Sequence, residues 1–157
     1  PILNLGASGE FDSQGAGVGA IIKDGTTFRM WYIGVVGSKW QTGYATSLDG
    51  INWIKHPGPV FPLGPSGSWD SEMAAATSVI VDGTTYHLWY FGNGYSQIGY
   101  ATSSDGINWT KEPSNPVLRT EPGWEQLQVW APTVVFDGTQ YHMWYSGKAC
   151  DGNMAIG

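Results

Sequence analysis

The side chains able to do acid–base chemistry in this chain are carboxylates, and three of them share a register. Asp12, Asp70 and Glu125 each follow an aromatic residue: Phe11, Trp69 and Trp124. In every case the aromatic stands 13 residues before the aspartate of an Asp-Gly pair, at Asp24, Asp82 and Asp137. A residue type that recurs in one register serves the repeated unit, so bracing a loop is the first role expected of these three. Glu72 is different. Two places beyond the shared acid the units carry Gln14, Glu72 and Leu127, then Gly15, Met73 and Gln128, and two further on Gly17, Ala75 and Trp130. Glu72 is the one carboxylate among these variable positions, which makes it the principal candidate for catalysis, with Asp70 or Asp12 as its partner. Two carboxyl groups of that kind can divide general-acid and general-base work. Gln14, Gln128, Trp130, Trp40 and Tyr95 are the candidate binding residues. Flat aromatics beside amides and a carboxylate suit a carbohydrate, which has apolar faces and polar edges. Plain packing is the competing role for Trp40 and Trp130.

Other chemistries find no support. His87 and His142 align with each other and with Arg29, His56 lies in a linker, and no His/Cys spacing fits zinc. There is no phosphate-binding Gly-Lys-Ser/Thr loop, so neither a metal nor a cofactor is expected. The lone Cys150 excludes an intrachain disulfide. Net charge is −6, and the seven Lys and Arg are scattered, which argues against nucleic acid or an anionic membrane as a partner. No apolar run is long enough to span a bilayer. The chain starts at Pro1 without a signal peptide, as a mature secreted form or a cytosolic protein would.

The elements that must position these residues are short strands. Of 157 residues 41% are apolar and 13% charged, with 23 glycines, nine prolines and nine tryptophans. That profile is all-β and globular. Asp24-Gly25, Asp82-Gly83 and Asp137-Gly138 are hairpin signals, each followed by a Trp-Tyr pair at 31–32, 89–90 and 144–145. Gly-Tyr-Ala-Thr-Ser and Asp-Gly-Ile-Asn-Trp repeat at 43–47 with 49–53 and at 99–103 with 105–109. The Ser-x-Asp-Gly-Ile-Asn-Trp turns read as a shortened Asp-box. Four strands per unit at this period predict a single β-propeller domain over 1–157, with four-stranded antiparallel blades at 1–58, 59–115 and 116–157. Innermost strands are expected at 15–23, 73–81 and 129–136, buried on both faces, and outermost strands at 51–55 and 107–111. The third blade is incomplete, because Ile156-Gly157 aligns with Ile98-Gly99. Three blades cannot close a ring. Closure is expected from a homo-oligomer, with a dimer giving six blades, from further blades of a longer chain, or from a different subunit. The Asp-Gly turns share one face of the disc, and the variable loops that carry the candidate residues lie on the other.

The phrase at 130–147, Trp-Ala-Pro-Thr-Val-Val-Phe-Asp-Gly-Thr-Gln-Tyr-His-Met-Trp-Tyr-Ser-Gly, together with the two repeated phrases, resembles the blade repeat of five-bladed propeller glycoside hydrolases. The similarity is to families 43, 32 and 68 and to the related mannoside phosphorylase-like propellers. It implies a carbohydrate-active module, and a secreted or periplasmic location. In family 43 the catalytic carboxylates meet in the central funnel, and the first of them directly precedes a proline. The matching positions here are Val18, Ala76 and Ala131, none of them acidic. The resemblance implies glycan binding or hydrolysis at the variable-loop face, where the comparison of the units supplies Glu72 as main carboxylate. The alternative is a non-catalytic propeller segment that assembles with its own copy.

Overall fold

A computed structural model describes residues 1–157. Blade one contains β1 (Gly15–Asp24), β2 (Thr27–Val36), β3 (Lys39–Ser47) and β4 (Ile54–Lys55). Blade two contains β5 (Met73–Asp82), β6 (Thr85–Phe91), β7 (Gln97–Ser103) and β8 (Thr110–Lys111), with β9 (Leu118–Arg119) added to β7. Blade three contains β10 (Gln128–Phe136), β11 (Tyr141–Lys148) and β12 (Met154–Ile156). Each Asp-Gly pair sits between the first two strands of its blade, and Gly25, Gly83 and Gly138 all have positive φ. Glycine occupies that region without a Cβ clash, so the turn is encoded locally. Within each blade the strands are antiparallel. Blades one and two are also linked directly, through a short parallel contact of Trp40 with Met73 and Gln41 with Ala74.

The outermost strands are shorter than the alternation predicts: two residues each, not five. The reason is the Asp-box. Asp49 Oδ1 accepts the backbone N–H groups of Ile51 and Asn52 at 2.8 and 2.7 Å, and Asp105 does the same for Ile107 and Asn108. Backbone donors committed to a turn cannot also join a ladder. Those hydrogen bonds, with the Asn108 side-chain amide, hold the Asp105 carboxyl well below the usual carboxylate range.

The inner strands also depart from expectation. β5 is buried over most of its length, as predicted, but β1 is largely exposed and β10 only partly buried. β5 has a blade on either side; β1 and β10 each have one. All three inner strands carry an irregularity at the same register, between Val18 and Ala20, Ala76 and Ser78, and Trp130 and Thr133. At that point β1 and β5 approach so closely that a Cβ on Gly19 would stand 2.4 Å from the Ala76 carbonyl oxygen. β5 and β10 are tied by Thr77 Oγ1–H to the Pro132 carbonyl (2.8 Å) and by Val134 N–H to Ser78 Oγ (3.0 Å).

Alternation along the second strand splits its side chains between two interfaces. Tyr86, Leu88 and Tyr90 join Trp31, Tyr44 and Phe61 in the main core between blades one and two. Trp89 turns the other way, toward Tyr141 of blade three. Trp31 is fully buried, and its indole N–H donates to the Gly106 carbonyl of the neighbouring blade at 2.8 Å. Trp31→Ala is expected to cost about 3–5 kcal/mol, the range for emptying an aromatic core site, as read from the urea unfolding midpoint.

Candidate functional site

The unit-specific aromatics meet. Trp40 is the second residue of β3, and its ring lies edge-on to Phe91 at 6.5 Å and to Tyr95 at 6.0 Å. Tyr95 stacks on Phe91 at 5.5 Å and meets Trp130 edge-on at 6.3 Å. The result is a half-buried aromatic run that spans all three blades, with Ile33, Met73 and Ala75 beneath it. Two non-glycine residues have positive φ, and both adjoin this run: Tyr95 itself (57°) and Ala131 (52°), next to Trp130. Such backbone strain costs of order 1–3 kcal/mol per residue and concentrates where a site demands it. The strain at Ala131 coincides with the inner-strand irregularity and with Pro132, which supplies no backbone N–H.

Asn93, at the start of the 3-10 turn Asn93–Tyr95, holds this corner together. Its Oδ1 accepts the backbone N–H groups of Glu72 (3.0 Å) and Met73 (2.8 Å). Its amide donates to Ser71 Oγ (3.1 Å) and the Ser68 carbonyl (3.3 Å). The Glu72 carbonyl in turn accepts the Trp40 N–H at 2.8 Å, so Glu72 and Trp40 are fixed to each other through the main chain. Asn93 belongs to no repeated motif of the chain. Its occurrence in one unit only, where blade one has Val35 and blade three Lys148, was the available signal.

The Glu72 side chain is exposed and makes no hydrogen bond or ion pair. It stands in an open groove of about 610 Å³ with Lys39, Ser66, Ser68, Ser71 and Asn93. Gln128 reaches the Gly94 carbonyl with its amide at 3.5 Å, beside Tyr95. Gln14 is committed elsewhere, since its Oε1 accepts the Gly37 N–H at 2.8 Å and closes the β2–β3 turn.

Asp12 and Asp70 lie inside blades rather than beside Glu72. Asp12 accepts Tyr32 O–H (3.0 Å) and pairs with Lys55 Nζ (2.5 Å). Asp70 accepts Tyr90 O–H (3.1 Å) and Ser68 O–H (2.8 Å) and pairs with Lys111 Nζ (2.5 Å). Both aspartates are almost fully buried, and each ties the loop before an inner strand to the second and fourth strands of its own blade. Glu125 repeats half of this motif with Tyr145 at 2.5 Å. So occupied, the two aspartates brace loops, and neither stands ready as an acid–base partner for Glu72. Burial pushes the Asp70 carboxyl up, but the hydrogen bonds of Lys111, Ser68 and Tyr90 and the charge of Lys111 outweigh it and hold it below the ordinary value. A carboxyl depressed on folding adds stability above its unfolded pKa, and that stability is lost as pH falls through the folded one. Stability is therefore expected to decline below about pH 4, and Asp70→Asn to flatten part of that decline. Lys111→Met, which leaves a buried carboxylate unpaired, is expected to cost about 3 kcal/mol at pH 7. Urea unfolding midpoints at pH 7 and pH 3 measure both.

Residues 22–156 match the model of the Glycosyl hydrolases family 32 N-terminal domain. An uncharacterised protein of Mycobacterium tuberculosis (strain CDC 1551 / Oshkosh) is 29% identical over 160 residues, covering 94% of this chain and 53% of that protein. The chain thus spans about half the length of the curated relatives it matches. Among solved structures, a glycosyl hydrolase from Bacteroides ovatus aligns with a TM-score of 0.77 at 16% identity, over 99% of this chain and 51% of that one. A β-1,2-mannobiose phosphorylase from Listeria innocua, in complex with β-1,2-mannobiose, aligns with a TM-score of 0.72 at 15% identity, over 94% of this chain and 41% of that one. At such identities the solved structures speak for the fold, a glycoside hydrolase-like β-propeller, while the sequence match reaches across most of the chain. The chain belongs to the Glycosyl hydrolases family 32 N-terminal domain family and has a glycoside hydrolase-like β-propeller fold.

Proposed function

We propose that this module binds a glycan against the half-buried rings of Trp40, Tyr95 and Trp130, with Glu72 presented to the sugar hydroxyls from the adjoining groove. The observation that carries the reading is the convergence of three unit-specific aromatics from three blades on one strained corner. Aromatic rings at a solvent-facing rim offer a sugar its apolar contact, and free carboxylate and amide groups fix its orientation. Glu72 is suited to the second task because nothing in the chain competes for its oxygens. Hydrolysis needs two carboxyl groups across the scissile bond, about 5–5.5 Å apart for retention and about 6.5–9.5 Å for inversion. Asp12 and Asp70 are held by their lysines and tyrosines, so binding is the function this corner supports best, with Glu72 as the carboxylate of any hydrolytic step.

Titrating intrinsic tryptophan fluorescence with arabinan, xylan, fructan and mannoside oligosaccharides tests the reading. At least one series is expected to bind, with Tyr95→Ala and Trp40→Ala each weakening it by roughly tenfold or more. Glu72→Gln is expected to lower affinity or to abolish release of reducing sugar. Wild-type behaviour of Glu72→Gln removes that residue from the site, and failure of every series to bind sinks the reading.

A further inference from the structure

The groove beside the aromatic run crosses from blade one to blade two. Lys39, the first residue of β3, lines it from blade one. Leu63, Ser66, Ser71, Glu72 and Asn93 line it from the connection that follows and from blade two. Trp40 belongs to both places: it follows Lys39 in β3, its N–H donates to the Glu72 carbonyl at 2.8 Å, and its ring meets Tyr95. Blades one and two each have all four strands, so the groove is shaped by the packing of two complete blades. Its volume of about 610 Å³ falls inside the range of about 300–1,000 Å³ for small-molecule sites.

The backbone of the groove is fixed, while three of its side chains are free. Gly64 N–H donates to the Asp70 carbonyl (2.9 Å), Ser68 N–H to the Pro65 carbonyl (3.0 Å) and Ser71 N–H to the Ser68 carbonyl (3.2 Å). Gly64 has no room for a side chain, because a Cβ there would collide with Asp70 Oδ1 and Ser68 Oγ. Asn93 commits its whole carboxamide to the same loop. By contrast, the Lys39 ammonium, the Ser66 hydroxyl and the Glu72 carboxylate are exposed and make no hydrogen bond or ion pair within the chain. Arg29, Lys55 and Lys111 each have a carboxylate partner; Lys39 has none. Lys39 is also specific to its unit: counted back from the shared Gly-Tyr-Ala-Thr-Ser phrase, its place in blade two is taken by Tyr95.

We propose that this groove is a second sugar subsite, so that a glycan held by the rings of Trp40, Tyr95 and Trp130 continues into it by at least one further unit. The inference rests on the reading of those rings as a glycan site. Lys39 Nζ donates to one hydroxyl of the second sugar and Glu72 accepts from another, while Leu63 offers the sugar ring an apolar contact. A hydroxyl both donates and accepts, so one neutral sugar satisfies an ammonium and a carboxylate together. The groove holds one charge of each sign, and a uronate would gain at Lys39 what it loses at Glu72. The second unit is therefore an uncharged sugar, and Lys39 is the residue that rewards chain length. Because the loop and Asn93 are already hydrogen-bonded, little backbone has to be ordered when the sugar enters.

Fluorescence titration of the 157-residue chain with mono-, di- and trisaccharides of the arabinan, xylan, fructan and mannoside series tests the subsite. In a series that binds, the di- or trisaccharide is expected to bind about tenfold more tightly than the monosaccharide, as hydrogen bonds to charged groups allow. Lys39→Met is expected to remove most of that gain, and Lys39→Arg, which keeps the charge and the donors, to retain it. Lys39 is exposed, so the circular dichroism of both variants is expected to match the wild type. A series that binds with no gain from the second unit overturns the subsite and leaves the aromatic corner standing. So does a gain that Lys39→Met leaves undiminished, and so does a gain confined to trigalacturonate titrated in parallel, which marks Lys39 as an anion site. Failure of every series to bind overturns the corner and the subsite together.

Discussion

The contact on which the rest of the molecule depends is the insertion of Trp31 into the Asp-box turn of the neighbouring blade. A blade by itself is a small twisted sheet with two apolar faces, and it gains a core only by stacking on another. The indole fills that interface as a large apolar side chain and also satisfies the Gly106 carbonyl, so burial and hydrogen bonding reinforce each other. Gly106 is required at the receiving position, because any Cβ there would collide with the ring. Tyr44, Tyr86 and Trp109 pack around the same indole at centroid distances of 5.5 to 6.1 Å. The Asp-box of blade two therefore does more than end a blade; it is the socket that joins it to blade one.

The buried Asp–Lys pairs perform a second joining task, inside blades one and two. Asp12 and Asp70 stand just before the inner strand, and their lysines come from the outermost strand, so each pair spans the blade from axis to rim. A buried carboxylate with a lysine and a tyrosine is costly to disrupt, because removing one partner leaves the other charge unpaired. The aspartates reinforce the scaffold for that reason, and the loops they anchor are free to differ. The loop that Asp70 anchors carries Glu72, whose main chain in turn holds Asn93 and Trp40. Division of labour between a repeated brace and a variable loop is how one blade design can present different chemistry around its ring.

Much of the architecture could be read from the chain, because its signals are local. An Asp-Gly turn with positive φ at glycine, a strand with alternating faces and a Ser-x-Asp-Gly turn each involve residues within a few positions of one another. Reading failed where a local group had two possible commitments. Residues 51–53 and 107–109 alternate like strand, yet their backbone donors go to Asp49 and Asp105. The burial of β1 was overestimated for a different reason: its small residues suit a crowded axis, but exposure depends on which blades stand beside it. Asn93 went unrecognised because its partners lie about twenty residues away in sequence, across a hairpin and a loop.

By itself, then, the sequence determined the blade: its strand order, its turns, its Trp-Tyr pairs and the register that marks Asp12, Asp70 and Glu125 as one kind of residue. Comparison of its own repeats also marked Glu72, Trp40, Tyr95, Gln128 and Trp130 as the positions where the units differ. Only the tertiary structure decided which of these meet. It brought Trp40, Tyr95 and Trp130 to one corner, tied Gln14 into a turn, gave Asp12 and Asp70 to their lysines and left the Glu72 carboxylate without a partner. The physical reason is that hydrogen-bonded turns and side-chain alternation act over a few residues. The sharing of a carboxylate or the stacking of rings from three blades is settled when the blades pack.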